Sequence, residues 1–173
     1  MKTPHFKYIY FLLIVFSNSA FSFETHCENE QQVIFNCKII NSTKIVSVCR
    51  QALAENQDEK YLQYKYGTLN KVELTFPNKH NIKEGQYSYR KFYSRNSGTL
   101  DYDLLFNIGR NKYHIYWNDN SVSDGEPSDK VVISSGIYVS ANNGKSIHLG
   151  CSNDVIQNFE SSSAYNIKDV DEF

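Results

Sequence analysis

Long apolar runs are scarce in this sequence of 173 residues. The most apolar segment is 9–16 (IYFLLIVF), whereas a helix that spans a membrane needs roughly 20 consecutive apolar residues. No segment of the sequence is therefore apolar over enough residues to cross a bilayer as a helix.

An excess of positive charge is also lacking. The sequence has 18 Lys and Arg residues against 19 Asp and Glu residues. Proteins that bind nucleic acid neutralise phosphates with a basic excess or a basic patch. The charge balance therefore argues against nucleic acid as a partner.

Motifs for catalysis and for cofactor binding are missing as well. The sequence has no G-x-S-x-G and no H-E-x-x-H. It has no C-x-x-C and no pair of histidines at ligand spacing, which argues against zinc. Segment 124–129 (DGEPSD) offers oxygen atoms but does not match the twelve-residue calcium loop. We therefore expect no cofactor and no resident metal.

The N-terminus has the pattern of a cleavable signal peptide at 1–22. Lys2 and Lys7 supply positive charge, segment 9–16 supplies the apolar stretch, and Ala20-Phe21-Ser22 resembles a cleavage site. An uncleaved amphipathic anchor is the alternative. No cysteine follows the site directly, so we expect a periplasmic or secreted protein without a lipid or membrane anchor.

Four cysteines lie beyond the predicted signal peptide: Cys27, Cys37, Cys49 and Cys151. An even number in an exported protein predicts two disulfides, and the spacing alone permits three connectivities. We favour Cys27–Cys37 with Cys49–Cys151, because closing a long loop restricts the unfolded chain most. A cross-hairpin pair, Cys37–Cys49, is the competing prediction.

Apolar and polar residues alternate through most of 23–151, with turn residues between the alternating runs. Asn143-Gly144 suits a type I′ turn between two strands. We predict a single all-β domain at 23–151, an antiparallel β-barrel or sandwich of eight to nine strands, followed by a polar, flexible tail at 152–173. The predicted strands are 33–39, 44–49, 61–66, 71–76, 87–93, 101–108, 112–118, 131–140 and 145–150.

Tyrosine is abundant, with 13 in the sequence. The predicted strand at 87–93 carries aromatic residues on both faces, next to basic residues. Tyrosine is amphipathic and is enriched at binding surfaces, although tyrosine pairs also simply stabilise sheets. The predicted binding residues on this strand are Tyr87, Tyr89, Arg90 and Tyr93.

Acidic residues suggest an alternative function. Asp101 and Asp103 lie two positions apart on one strand and so share a face, which is also typical of a solvated strand. Paired carboxylates can perform acid–base chemistry. The alternative is a cell-wall or glycan hydrolase that uses Asp101, Asp103, Glu73 or His114, and it requires a concave pocket that gathers at least two of them.

Three blocks resemble a family of small exported bacterial proteins with no assigned activity. Segments 35–37 (FNC), 46–49 (VSVC) and 61–67 (YLQYKYG) match that family's F-x-C, V-x-V-C and YLQYR-[FY]-G blocks, and Cys151 matches its final cysteine. The resemblance implies a bacterial periplasmic setting and no particular activity.

Ser135-Gly136-Ile137-Tyr138 is similar to the S-G-x-x-Y motif of periplasmic inhibitors of c-type lysozyme, but is one residue shorter. Those inhibitors are small β-barrels that insert a loop into the lysozyme cleft. Their second motif, Lys-Gly after an aromatic residue, is absent, and Gly144-Lys145 has the reverse order. The resemblance implies Ser135 and Tyr138 as further binding residues.

These features predict an exported, non-enzymatic β domain that binds an envelope or extracellular protein, in an inhibitor-like or immunity-like role. Fold-level analogy supplies that role. The hydrolase is the first alternative, and a structural envelope protein without a discrete ligand is the second.

Overall fold

A computed structural model describes residues 23–28, 31–52, 60–78, 87–94, 98–120, 133–161 and 168–169. The predicted signal peptide at 1–22 and the acidic segment 124–129 lie outside the described residues. Among the residues that are described, no helix has the length and apolarity needed to cross a membrane.

Nine antiparallel strands form one sheet that curls into a half-barrel, which confirms the all-β prediction. A tenth strand of two residues pairs in parallel with the fifth. The strands are β1 Gln32–Ile39, β2 Lys44–Ala52, β3 Lys60–Thr68, β4 Lys71–Phe76, β5 Tyr87–Ser94, β6 Thr99–Ile108, β7 Asn111–Asp119, β8 Ile133–Ser140, β9 Ser146–Gln157 and β10 Lys168–Asp169. Their order across the sheet is β10-β5-β6-β7-β8-β9-β1-β2-β3-β4.

The long strand β9 joins the two halves of this sheet. Its first part pairs with β8, and its second part pairs with β1. Ile39 faces Cys151 and Cys37 faces Val155, so β9 advances four residues where β1 advances two. Such a bulge bends a strand and increases its twist, which contributes to the curl of the sheet.

Ordered structure continues beyond Cys151, where the sequence predicted a flexible tail. β9 runs through Gln157, and a 3-10 turn follows at Phe159–Ser161. Phe159 is fully buried, with its ring 5.6 Å from that of Phe35 and stacked 5.7 Å from that of Tyr102. The backbone ladder of β9 with β1 and the hydrogen bond from the Asn158 N–H to the Ile34 carbonyl hold this polar segment, and the Phe159 ring fills space inside the curl.

The two disulfides are Cys27–Cys49 and Cys37–Cys151, so the favoured pairing of Cys27 with Cys37 and of Cys49 with Cys151 is wrong. The competing Cys37–Cys49 pair is wrong as well. Cys37 faces Val46 and shares its inward side, whereas Cys49 lies three positions from Val46 and points to the outer side. The two disulfides, with no free cysteine, indicate an oxidising environment.

The segment 23–28, which we call the N-terminal strap, packs on the outer side of β1, β2 and β3. The backbone N–H of His26 donates to Ser47 Oγ over 3.0 Å, and the Lys65 ammonium donates to the His26 carbonyl, also over 3.0 Å. The Cys27–Cys49 disulfide ties the strap to β2. The strap thereby buries polar side chains of the outer side and supplies their hydrogen-bond partners.

Tyr87 connects β5 to the opposite end of the sheet. Its hydroxyl accepts a hydrogen bond from the backbone N–H of Tyr64 (3.2 Å) and donates one to the carbonyl of Phe76 (2.9 Å). Burial raises the pKa of Tyr87 far above its usual value, so the hydroxyl keeps its proton. Among the described residues, β4 and β5 share no backbone ladder, and this hydroxyl therefore links them.

We expect Tyr87→Phe to lower the free energy of unfolding by about 1–3 kcal/mol, because it leaves a buried backbone N–H and a carbonyl without a partner. Urea unfolding measures the change. Tyr93→Phe is the matched control, since Tyr93 is 44% exposed, and we expect it to stay within about 0.5 kcal/mol of the wild type. Equal effects of the two variants would contradict the assigned role of the Tyr87 hydroxyl.

Candidate functional site

Strands β7, β8 and β9 place four rings side by side on the outer surface of the half-barrel. His114 is directly opposite Tyr138, and Tyr138 is directly opposite His148, so these three residues form a row across the strands. Tyr116 lies in the next row, opposite Gly136. We call the surface formed by His114, Tyr116, Tyr138 and His148 the ring face.

The alternation of the strands directs these rings outward. Ile115 and Ile137 are fully buried in the core, and Trp117 is nearly so. Because successive side chains of a strand point to opposite faces, the residues that alternate with these three face away from the core. The core pattern therefore also determines which rings reach the surface.

The rings hold one another in place. The centroids of Tyr138 and His148 are 4.4 Å apart at 20°, and Tyr138 also stacks on Tyr116 at 5.4 Å and on His114 at 5.9 Å. The Tyr116 hydroxyl and His148 Nε2 share a hydrogen bond of 2.8 Å. Tyr138 nevertheless remains 41% exposed. The ring face is therefore an ordered surface that solvent reaches.

Gly136 makes the contact between Tyr116 and His148 possible. A Cβ atom at this position would lie 2.6 Å from the Leu149 carbonyl oxygen, 3.0 Å from the Tyr116 hydroxyl and 3.1 Å from His148 Nε2. The missing side chain leaves the space that the hydroxyl and the imidazole occupy. Any larger residue at position 136 would disturb the ring face.

A buried carboxylate supports the ring face from β6. Asp103 is only 4% exposed; His114 Nε2 lies 2.7 Å from its Oδ1, and Arg90 Nε donates to its Oδ2 over 2.6 Å. Burial alone raises the pKa of Asp103, but the hydrogen bonds from His114 and Arg90 outweigh burial and hold the pKa below its usual value. An ionised carboxylate only accepts, so His114 carries a hydrogen on Nε2 and its ring orientation is fixed.

This carboxylate should make stability depend on pH in the acidic range. Since folding depresses the pKa of Asp103, this carboxylate stabilises the folded protein at pH values above its unfolded pKa of about 3.9. That stabilisation is lost as the pH falls through the lower pKa of the folded state. We expect Asp103→Asn to lower the free energy of unfolding by about 1–3 kcal/mol at neutral pH. The difference should shrink below about pH 4. Urea unfolding of both proteins across the pH range tests this, and a constant difference would contradict it.

The structure separates the predicted binding residues into two groups. Tyr87 and Tyr89 are buried in the core, so the prediction that their rings lie on an exposed binding face is wrong. Strand 87–93 carries aromatic residues on both faces, and its sequence alone does not indicate which face is inward. Ser135 is also buried, since it shares the inward side of β8 with Ile137.

The remaining predicted residues lie on the surface. Tyr138 is at the centre of the ring face, and Arg90 pairs with Asp103 beside it. Tyr93 is exposed near the end of β5. The sequence-based prediction did not include Tyr116 and His148 as site residues. Their alternation with inward residues identifies them only when the register of the strands is also known.

The carboxylates considered for hydrolysis do not form one cluster. Asp103 and His114 are in contact, but Glu73 pairs with Lys44 and Asp101 accepts a hydrogen bond from Asn118. The described parts of the chain contain no group of three or more His, Cys, Asp or Glu residues that could hold a metal ion.

Comparison with known proteins gives no match to a family model, to a curated protein or to a solved structure.

Proposed function

We propose that this chain is an exported, non-enzymatic β domain that binds a protein partner through the ring face. The observation that carries the proposal is the cluster of four rings, in which Tyr138 stacks on the other three, that is ordered yet accessible to solvent. Tyrosine and arginine dominate the energetically important positions of protein interfaces, and the ring face offers Tyr116, Tyr138 and the neighbouring Arg90.

Rigidity of the ring face favours binding. Association costs free energy whenever side chains become ordered at an interface. Here the rings are already fixed by stacking, by the bond between Tyr116 and His148, and by the bond between Asp103 and His114. A partner would therefore meet a surface that needs little further ordering.

An oxidising location fits an extracytoplasmic role. Both disulfides tie together distant parts of the chain, and such bonds persist outside the reducing cytosol. Together with the signal-peptide pattern at 1–22, this supports a periplasmic or secreted protein with an inhibitor-like or immunity-like role.

The hydrolase alternative has weaker support. A carboxyl group that acts as a general acid near neutral pH needs a raised pKa, whereas the pKa of Asp103 is lowered. Tyr138 lies within β8 and not on a loop, so this residue would not enter a partner's cleft in the way that the lysozyme inhibitors insert a loop.

The test compares capture by the oxidised domain, residues 23–173, with capture by Tyr138→Ala. Tyr93→Ala is the matched control, because Tyr93 is an exposed tyrosine on another strand. We expect one protein from periplasmic extract or culture fluid to be captured by the wild type and by the control, and its affinity for Tyr138→Ala to fall at least about tenfold. The purified partner gives the affinities by calorimetry.

Three results would count against the proposal. Capture of nothing by any bait would argue against a protein partner. A loss with Tyr93→Ala but not with Tyr138→Ala would move the binding site to β5. Hydrolysis of cell-wall material by the domain, abolished by Asp103→Asn, would favour the enzymatic alternative.

A further inference from the structure

The ring face presents the edges of its rings to solvent. His148 covers one face of Tyr138 at 4.4 Å and 20°, and His114 and Tyr116 stack against Tyr138 from β7. The exposed part of Tyr138 is therefore mainly its ring edge and its hydroxyl. Aromatic edges carry partial positive charge, and imidazole N–H and phenol O–H groups also lie at the edges.

The positions around the rings add hydrogen-bond donors and no carboxylate. The outward positions of β7, β8 and the first part of β9 follow from their alternation with the buried residues. None of these outward positions is Asp or Glu. Besides the four rings and two glycines, they are Lys112, Asn118, Ser134, Ser140 and Ser146.

The nearest carboxylates are already engaged. Asp103 lies beneath the surface and accepts from His114 and Arg90, and Asp101 accepts from Asn118. Lys112 occupies the row next to His114 and is exposed. Since His114 Nε2 donates to Asp103, and the Tyr116 hydroxyl and His148 Nε2 bond to each other, the ring face offers an approaching anion mainly the Tyr138 hydroxyl and the nearby Lys112 ammonium. No outward position of β7, β8 or the first part of β9 carries a carboxylate that would oppose the anion.

We infer that the ring face recognises an acidic segment of the partner protein, one that presents Asp or Glu carboxylates. This inference rests on the proposed protein-binding function and assigns the chemistry of the partner. Carboxylates that accept from the Tyr138 phenol and the Lys112 ammonium form charge-assisted hydrogen bonds, which are stronger than hydrogen bonds between neutral groups. Complementary charge also selects the correct partner and speeds its association.

The same geometry disfavours a neutral glycan. A sugar ring packs its C–H groups against an uncovered aromatic face, and neighbouring rings cover the faces of Tyr138. A carboxylate needs ring edges and donor hydrogens, which the ring face does present. Glycan binding is therefore an outcome of the test that would overturn the inference.

NMR titration of the oxidised domain tests the inference without knowledge of the partner. The probes are a synthetic peptide of about eight residues with alternating Glu and Ser, the same peptide with Gln in place of Glu, free glutamate, and a neutral chitin oligosaccharide. We expect the acidic peptide to shift the signals of residues 112–118, 134–140 and 146–150. Its affinity should exceed that of the Gln peptide at least about fivefold and fall with added salt.

Variants locate the binding. Lys112→Ala and His148→Ala should each weaken binding of the acidic peptide at least about threefold. Lys71→Ala is the matched control, since it removes an exposed lysine of β4, on the other half of the sheet, and it should leave the affinity unchanged. Equal binding of the acidic and Gln peptides, binding of the oligosaccharide alone, or binding of free glutamate as tight as that of the peptide would overturn the inference.

This inference and the proposed function can fail separately. A captured partner that depends on Tyr138, combined with no response to the acidic peptide, would leave the protein-binding function standing and overturn the acidic-segment inference. A response to the acidic peptide at the ring face, combined with no captured partner, would support the recognition chemistry and remove support from the proposed function.

Discussion

Replacing Cys37 and Cys151 together with alanine should lower the free energy of unfolding by about 4–5 kcal/mol. The disulfide closes a loop with a sequence separation of 114 residues, so its removal restores much conformational freedom to the unfolded chain. It also joins β1 to β9, where the two halves of the sheet meet. Urea unfolding, followed by fluorescence of the one tryptophan, Trp117, measures the loss.

The Cys27–Cys49 disulfide provides the comparison. Its sequence separation is 22 residues, and the same loop-closure reasoning gives a smaller loss of about 3 kcal/mol for the double alanine variant. Because Cys27 lies in the N-terminal strap, this variant should also loosen residues 23–28 first. If the Cys27–Cys49 variant were the less stable of the two, loop closure would not be the main contribution of these disulfides.

The second large effect is expected at Phe159. Phe159→Ala should lower the free energy of unfolding by about 3–5 kcal/mol, because it removes a fully buried ring that packs against Phe35 and Tyr102. The loss would demonstrate that the segment after Cys151 belongs to the folded domain. The same urea experiment measures it.

Phe92→Ala is the matched control for Phe159. Phe92 is 52% exposed, so its truncation should change the free energy of unfolding by no more than about 0.5 kcal/mol. A Phe159 variant as stable as the Phe92 variant would mean that the 3-10 turn contributes nothing to the core.

Local alternation made the strands predictable. The prediction of a strand at 101–108 corresponds to β6, Thr99–Ile108, because side chains of one strand alternate whatever their distant partners are. The disulfide pairing depends on which face each cysteine occupies after β9 has paired with β1. That pairing joins residues more than a hundred positions apart, and spacing along the sequence does not encode it.

The candidate site was only partly predictable for a related reason. Tyr138 was identified, whereas His148 was missed, and the two meet only because β8 and β9 pair in one particular register. Tyr87 and Tyr89 have the same residue type as Tyr138 but lie inside. The abundance of tyrosine suggests a binding surface, whereas the register of the strands and the curl of the sheet decide which tyrosines reach the surface.

The place of β9 beside β1 has a consequence for the connectivity of the fold. Among the nine antiparallel strands, every pairing except β9 with β1 joins strands that are consecutive in the sequence. A circular permutant that links the end of β9 to the start of β1 and opens the connection between β4 and β5 would be a pure meander. Its relative contact order would drop, so folding should be faster than in the natural order.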